Sequence, residues 1–181
     1  MKLIAVLGSP HKNGPSSTLA REVIRGAEAA GWETSVYEIE KMHVRGCQGC
    51  WACKNNGIDC IVQDDLAPYW KELHECDALL VSAPNYASTV CGPMITYMNR
   101  HYCLLDKDWK PRIKPGIRLI GIFSQGQKDL EKYLANYNWY LGDFENRGMI
   151  RHKLMIHGGN EPLSQEELAQ AFDAGRSLGT L

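Results

Sequence analysis

The sequence predicts an α/β fold in which a parallel sheet is covered by helices on both faces. Five apolar, β-branched segments are typical of buried strands, and they lie at 2–8, 34–39, 78–83, 118–124 and 153–157. Between them, apolar residues recur at intervals of three and four, which is the spacing of one buried helix face. Because parallel neighbours need crossover connections, this alternation favours a sheet between two helical layers.

Each stretch between the strands provides one such helix face. The apolar residues of the four faces are Leu19, Val23 and Ile24; Leu66, Trp70 and Leu73; Leu130, Tyr133 and Leu134; and Leu168, Ala171 and Phe172. Pro15 suits the first turn of the first helix, and Asp64-Asp65 suit the start of the second, where a carboxylate complements the helix dipole. The segment 105–116, rich in Asp, Lys and Pro, is expected to lie on the surface.

Composition and charge exclude several classes of protein. The chain has 181 residues, of which 44% are hydrophobic and 23% charged, so we expect one globular domain over residues 1–181. Lys and Arg total 20 against 21 Asp and Glu, and a net charge of -1 gives no field that would attract a nucleic acid or an anionic membrane. No apolar stretch approaches the roughly 20 residues of a membrane span, which favours a cytoplasmic protein.

The first strand runs directly into a loop with the features of an anion site. Residues 8–18 are followed by a helix, so backbone N–H groups and the helix N-terminus converge there. The loop has neither the Walker pattern nor Gly-x-Gly-x-x-Gly, which disfavours a nucleoside triphosphate or a dinucleotide. A single phosphate suits it better, and a loop that only caps the helix is the alternative. The expected ligand contacts are Ser9, His11, Asn13, Gly14, Ser16, Ser17 and Thr18.

Seven cysteines are the one unusual count in the composition, and four of them lie in a cysteine-rich loop at 47–60: Cys47, Cys50, Cys53 and Cys60. Their spacing brings four thiols within reach of one metal centre. Two Cys-x2-Cys steps in tandem suit three corners of a 4Fe-4S cluster, whereas structural zinc usually takes its cysteine pairs from separate knuckles. A 4Fe-4S cluster, a zinc ion, and thiols that are free or form a disulfide all remain open.

Two later strands end in loops suited to a planar ligand. An aromatic side chain and backbone N–H groups can receive a ring after the third strand, and a glycine permits close approach after the fourth. Ligands of doubly wound sheets bind at this carboxyl edge. The expected contacts are Pro84, Asn85, Tyr86, Ala87 and Ser88, then Ser124, Gln125 and Gly126. At the end of the fifth strand, His157 is within reach of a substrate at the same edge.

Taken in order, these motifs resemble the NADPH-dependent FMN reductases and iron-sulfur flavoproteins. The resemblance rests on the loop 8–14, the cysteine spacing followed by Asp64-Asp65, and the loops after the third and fourth strands. The chain differs from that family at His11, where arginine is usual, and at Pro15-Ser16, where Asn-Thr is usual. The resemblance implies a flavodoxin-like three-layer sandwich with a five-stranded parallel sheet in the order 2-1-3-4-5, with FMN bound at the three loops.

The resemblance also implies a flavin-dependent oxidoreductase, with three functions to be distinguished. In the first, the four clustered cysteines hold a 4Fe-4S cluster that exchanges single electrons between FMN and an external carrier. In the second, a cluster-free reductase takes electrons from NAD(P)H and passes them to quinones, nitro compounds or free flavin. The third is a non-catalytic shuttle of the flavodoxin type, which the near-neutral charge disfavours because such carriers are typically acidic.

The family further implies a homodimer or homotetramer, with a small molecule or a protein as electron donor and acceptor. An aromatic-rich stretch is a candidate subunit contact, and the same side chains would equally suit the core. They are Tyr133, Tyr137, Trp139, Tyr140 and Phe144. The residues indicate no catalytic acid or base.

Overall fold

Parallel strands form the centre of the computed structural model, which describes residues 1–179. They are β1 (Lys2–Leu7), β2 (Glu33–Glu38), β3 (Ala78–Tyr86), β5 (Arg118–Gln125) and β6 (Ile150–Gly158). The order is β2-β1-β3-β5-β6, and a two-residue strand, β4 (Thr89–Val90), folds back antiparallel on the end of β3. With β4 set aside, this is the predicted order 2-1-3-4-5, which is the flavodoxin-like order.

Helices cover both faces of the sheet, as predicted. They are α1 (Pro15–Ala29), α2 (Ala52–Asn56), α3 (Ala67–Glu75), α4 (Gly92–Arg100), α5 (Leu134–Glu145) and α6 (Gln165–Arg176). Successive residues of β1 enter opposite cores: Leu3 and Ala5 pack with α1 and α6, and Ile4 and Val6 pack with α3, α4 and α5. Because both faces are buried, β1 is apolar along its whole length. Among residues 1–179, no helix is both long and apolar enough to cross a bilayer.

Helix α5 begins later than the apolar spacing predicted. Residues 130–133 form turns, and Leu130 is 43% exposed, so the expected face of Leu130, Tyr133 and Leu134 was wrong. The side chain of Asp129 accepts a hydrogen bond from the backbone N–H of Glu131, which favours a turn over a helix at this point. The buried face consists instead of Tyr137, Tyr140, Leu141 and Phe144.

The structure bears on two smaller expectations. Asp64 lies at the start of α3 as expected, since its carboxylate accepts from the backbone N–H of Leu66, the N-cap residue. The carboxylates of Asp64 and Asp65 also accept from the backbone N–H groups of Arg45 and His43, and so bind the segment that precedes the cysteine-rich loop. Of the aromatic residues considered for a subunit contact, Tyr137, Tyr140 and Phe144 are core residues, whereas Trp139 is 59% exposed. The oligomeric state stays a prediction.

Helices α1 and α6 approach each other through two glycines. A Cβ atom added at Gly26 would overlap the carbonyl oxygen of Phe172, and one at Gly175 would overlap the carbonyl oxygen of Val23. The obstructing atoms belong to the backbone, so no side-chain rotation relieves the overlap. The packing of α6 on α1 therefore requires glycine at both positions.

Arg100 ties the cysteine-rich loop to the end of α4. The Arg100 and Asp64 side chains form an ion pair in which both are 0% exposed. The Arg100 guanidinium also donates to the carbonyl of Arg45 at 2.8 Å and, through Nε, to Cys60 Sγ at 3.3 Å. Burial alone would lower the pKa of Arg100, but its hydrogen bonds to Asp64 and Cys60 raise the pKa, so the buried group stays charged.

The glycine contact predicts a selective loss of stability. Gly175→Ala should lower the free energy of unfolding by about 1–3 kcal/mol, because the helices must separate to admit the methyl group. Gly142→Ala is the matched control, since the nearest atom to a Cβ there is Glu145 Oε2 at 3.9 Å. Gly142 lies in the interior of α5, where alanine is a better helix former than glycine, so this control should raise the free energy of unfolding by about 0.5–1 kcal/mol. Urea denaturation measures both, and equal changes would contradict the contact.

The buried ion pair predicts a larger effect. Arg100→Met should lower the free energy of unfolding by about 3–5 kcal/mol, because it leaves the Asp64 carboxylate buried without its counter-charge. Arg176→Met is the control: Arg176 pairs with Asp173 on the surface, where both side chains are more than half exposed, and its loss should cost less than about 1 kcal/mol. Adding Asp64→Asn to Arg100→Met should recover part of the loss. Guanidinium unfolding of the four proteins is the measurement, and similar curves for Arg100→Met and Arg176→Met would refute the role given to Arg100.

Candidate functional site

A cavity of about 380 Å³ lies at the carboxyl edge of the sheet. Residues from all three predicted loops line it: Ser9, His11, Gly14, Ser16, Pro84, Asn85, Tyr86, Ser124, Gln125 and Gly126. Sequence reasoning missed Pro15, Gly159, Asn160 and Glu161 as lining residues. The only local sign of the last three is the Gly158-Gly159 pair, which is typical of a turn. Five predicted contacts do not line the cavity: Asn13, Ser17, Thr18, Ala87 and Ser88.

The loop between β1 and α1 ends in a helix start that lacks a side-chain cap. Ser9 Oγ accepts from the backbone N–H of His11 at 3.2 Å, and the N–H of Gly14 donates to the carbonyl of His11 at 3.0 Å. No side chain caps the N-terminus of α1, and its first turn contains no acidic residue. Because the first N–H groups of a helix have no partner within the helix, this end of α1 can bind an anion. Pro15 removes one of these donors.

The β3–β4 hairpin presents Tyr86 to the cavity. Asn85 pairs with Val90 and Tyr86 with Thr89, so Ala87 and Ser88 form the two-residue turn. Both turn residues have positive φ, 50° and 69°, which is uncommon for residues other than glycine. The hairpin leaves Tyr86 46% exposed beside the cavity, where its ring can lie against a planar ligand.

Asn85 and Gln125 line the same cavity but differ in their hydrogen bonding. The Gln125 side chain donates to the carbonyls of Gln127 and Asp129 at 3.0 and 2.7 Å and accepts from the Tyr137 hydroxyl at 2.8 Å. It therefore holds the loop after β5 in place. Asn85 Nδ2 is buried and makes no hydrogen bond of standard geometry among the described residues, although the Asn85 side chain interacts with the Tyr137 hydroxyl. Its second amide hydrogen therefore remains as a donor for a bound molecule.

His157 is a buried histidine at the end of β6 that also lines the cavity. It is 4% exposed, and its Nδ1 lies 2.7 Å from Glu167 Oε1 on α6. Burial alone would raise the pKa of Glu167, but hydrogen bonds from His157 and Ser164 lower it below its ordinary value. The second ring nitrogen, Nε2, is buried and finds no partner in residues 1–179.

The four clustered cysteines line a second, narrow cavity that shares no residue with the first. Cys47 and Cys50 are exposed, Cys60 is half-buried and Cys53 is buried, and burial raises the pKa of the Cys53 thiol. Within residues 1–179, all seven cysteines are free thiols. Within the described part of the chain, no three His, Cys, Asp or Glu side chains are placed to hold a single metal ion.

Two buried cations flank the cysteine cavity. Arg100 donates to Cys60 on one side. On the other, Lys54 is 3% exposed, and its ammonium donates to the carbonyls of Tyr102 and Leu105 at 2.8 and 2.6 Å. The Lys54 ammonium also lies 4.3 Å from the Tyr102 ring centre and 4.8 Å from that of Trp109. The surface segment predicted at 105–116 is thereby fixed to the cysteine loop, and negative charge on the thiols would be compensated.

Comparison with known proteins finds two relatives with a shared description. An iron-sulfur flavoprotein of Methanocaldococcus jannaschii is 30% identical over 163 residues, which is 90% of this chain and 78% of that protein. An iron-sulfur flavoprotein of Archaeoglobus fulgidus is 29% identical over 114 residues, or 63% of this chain. The match spans only half, 50%, of the length of the Archaeoglobus protein.

The fold is shared with a solved structure of much lower sequence identity. The NAD(P)H:quinone oxidoreductase from Methanothermobacter marburgensis aligns with 100% of this chain and 97% of its own, with a TM-score of 0.76 at 18% identity. This confirms the predicted architecture. The family model for NADPH-dependent FMN reductase matches residues 1–136. The match contains the anion loop, the cysteine-rich loop and the hairpin with Tyr86, and the chain therefore belongs to the NADPH-dependent FMN reductase family.

Proposed function

We propose that this protein is a flavin-dependent oxidoreductase that binds FMN in the cavity at the carboxyl edge of the sheet and accepts electrons from NAD(P)H. The observation that supports this most directly is the juxtaposition, in one cavity, of the uncapped N-terminus of α1 and the Tyr86 hairpin. One end suits a phosphate and the other a planar ring. Family membership agrees with this assignment.

The residues present fit FMN in size and in polarity. A cavity of about 380 Å³ lies within the range of small-molecule sites. Ser9, Ser16 and the first turn of α1 provide donors for a phosphate. Asn85 Nδ2 is a buried donor without a partner, and a ring carbonyl or nitrogen would satisfy it. FMN, when bound, supplies the exchange of hydride and single electrons that side chains alone do not provide.

The chain's own residues orient the ring and limit access to it. Tyr86 offers an aromatic surface for the ring. The space beside Gly126 is open, since a Cβ there would meet nothing within 4 Å, and the missing side chain lets the ring approach the backbone closely. Gln125 holds that loop in place through its bonds to the carbonyls of Gln127 and Asp129. The polar groups that meet the ring are therefore fixed before it binds, which lowers the entropic cost of binding.

We further propose that Cys47, Cys50, Cys53 and Cys60 hold a 4Fe-4S cluster. The four side chains line one small cavity, and besides the thiols, Gln48 and Arg100 its lining is mainly aromatic and aliphatic. Each corner of the cluster has its own iron, so the four thiolates lie further apart than those around one zinc ion. Arg100 donates to Cys60 and offsets part of the negative charge that four thiolates bring. Burial lowers the pKa of Lys54, and negative charge on Cys53 acts in the opposite direction and favours the ammonium form. Both relatives described above are named as iron-sulfur flavoproteins.

The FMN proposal predicts rapid reduction by a nicotinamide. We expect FMN-reconstituted protein to lose its visible flavin absorbance within seconds when it is mixed with NADPH or NADH. The mixing is done anaerobically in a stopped-flow instrument. The Cys47→Ser/Cys50→Ser variant serves as the matched control, because it removes cluster absorbance and leaves the flavin cavity intact. Flavin that stays oxidised with both donors would exclude a nicotinamide-dependent reductase.

The cluster proposal predicts a defined metal content. Protein prepared without oxygen should contain iron and acid-labile sulfide in equal amounts, and Cys53→Ala should lose both. Cys76→Ala is the control, because Cys76 is buried at the C-terminal end of α3, where its thiol donates to the carbonyl of Leu73. This variant should keep the full content of iron and sulfide. Zinc in place of iron, or no metal at all, would contradict the cluster and leave the cluster-free reductase.

A further inference from the structure

His157 lines the cavity and has one ring nitrogen with a partner and one without. Its Nδ1 is hydrogen-bonded to the Glu167 carboxylate, and its Nε2 has no partner within residues 1–179. Hydrogen bonding through Nδ1 to Glu167 fixes the orientation of the imidazole. A buried polar atom left without a partner costs about 1–3 kcal/mol, so Nε2 is expected to have a partner in the functional state. We infer that Nε2 of His157 donates a hydrogen bond to the phosphate of the bound flavin nucleotide; this rests on the proposed FMN site.

The position of His157 on the sheet assigns it to the phosphate end of the cavity. Side chains alternate along a strand, and Met155, two positions earlier on β6, packs in the core beneath α1 and α6. His157 faces the same side and contacts Glu167 on α6. The N-terminus of α1 lies on that side as well, where the Ser82 hydroxyl donates to the carbonyl of Ser16 at 3.2 Å.

The ring end of the cavity lies towards the opposite face. The turn of the β3–β4 hairpin is held by Asn136 of α5, whose Nδ2 donates to the carbonyl of Ser88. Helix α5 packs in the other core, together with α3 and α4. Tyr86 and His157 therefore approach the cavity from different layers of the fold, and His157 shares its layer with the anion-binding end of α1.

The charges around the cavity support the same assignment. Among residues 1–179, no lysine or arginine lines the cavity, and the ionisable side chains that do are His11, His157, Glu161 and Tyr86. Glu161 pairs with Lys128 at 2.8 Å on the surface. A phosphate dianion there depends on the dipole of α1, on hydroxyls and on the two histidines. With the Glu167 carboxylate at Nδ1 and a phosphate at Nε2, each ring nitrogen of His157 would face an anionic acceptor, which is the arrangement of a charge-assisted hydrogen bond.

The test compares FMN with riboflavin, which lacks only the phosphate. Fluorescence quenching of each flavin by apoprotein gives its dissociation constant for the wild type, His157→Gln and His152→Gln. His152 is the matched control, because it lies on the same strand, pairs with Ser177 Oγ at 3.2 Å and does not line the cavity. We expect His157→Gln to weaken FMN binding about tenfold or more and to leave riboflavin binding unchanged. His152→Gln should change neither constant.

An unchanged ratio of the two dissociation constants in His157→Gln would overturn the inference, whether both constants rise or neither does. A wild type that binds neither flavin would instead refute the FMN proposal itself. Long-range ¹H–¹⁵N spectra of the wild-type imidazoles give a second readout that needs no variant, in case His157→Gln does not fold. FMN should shift the His157 Nε2 resonance and riboflavin should not; equal shifts from both would also overturn the inference.

Discussion

The site depends first on one constraint: all parallel strands of the sheet end at the same edge. Residues 9 and 161 lie at opposite ends of the sequence, yet both line the cavity, because β1, β3, β5 and β6 deliver their following loops to that edge. The buried, apolar stretches of the strands line no part of the cavity, and the strand residues that do line it, such as Asn85, Gln125 and His157, lie at the carboxyl ends of β3, β5 and β6. The pairing of the strands fixes the positions of the polar loops. The glycines between α1 and α6 let these two helices pack closely, and α1 supports the proposed phosphate end of the cavity. Disturbing either would displace several ligand contacts together.

Helix α4 connects the two candidate sites. It starts beside the flavin cavity, where the Cys91 thiol, just before the helix, donates to the carbonyl of Gly8 at 3.3 Å. It ends at Arg100, which is paired with Asp64 and donates to Cys60. A nine-residue helix is about 13 Å long, so its two ends hold the sites at a short and fixed separation. The buried Arg100–Asp64 pair makes directional bonds, which fix the orientation of the cysteine-rich loop relative to α4 more narrowly than apolar packing would.

The strands and the three loops that line one cavity were predictable because their signals are local: runs of apolar residues, a glycine-rich turn, an aromatic after a strand. The strand order followed from the family resemblance and not from these signals. What the sequence did not reveal depends on contacts between distant residues. The bond from Arg100 to Cys60 joins positions 40 residues apart, and no spacing rule links them. The start of α5 depends on the Asp129 side chain and on Gln125, which binds the Asp129 carbonyl, so the apolar spacing at Leu130 and Tyr133 was misleading. The His157–Glu167 pair forms only once β6 and α6 have packed.

The polar residues of the cavity fall into two groups by their hydrogen-bond partners. Some bind other parts of the chain and fix the shape of the cavity, and others keep a donor that a ligand can use. Gln125 satisfies its side chain within the chain, whereas Asn85 Nδ2 and His157 Nε2 do not, although all three line the same cavity. Leaving buried polar atoms unpaired makes the ligand-free fold less stable than its packing would allow. A ligand that supplies both partners binds only the folded chain, and it stabilises that fold by mass action. At the proposed FMN site, the same two atoms would couple recognition of the flavin to the stability of the domain. They would do so at the two ends of the cavity, one facing the ring and the other the phosphate.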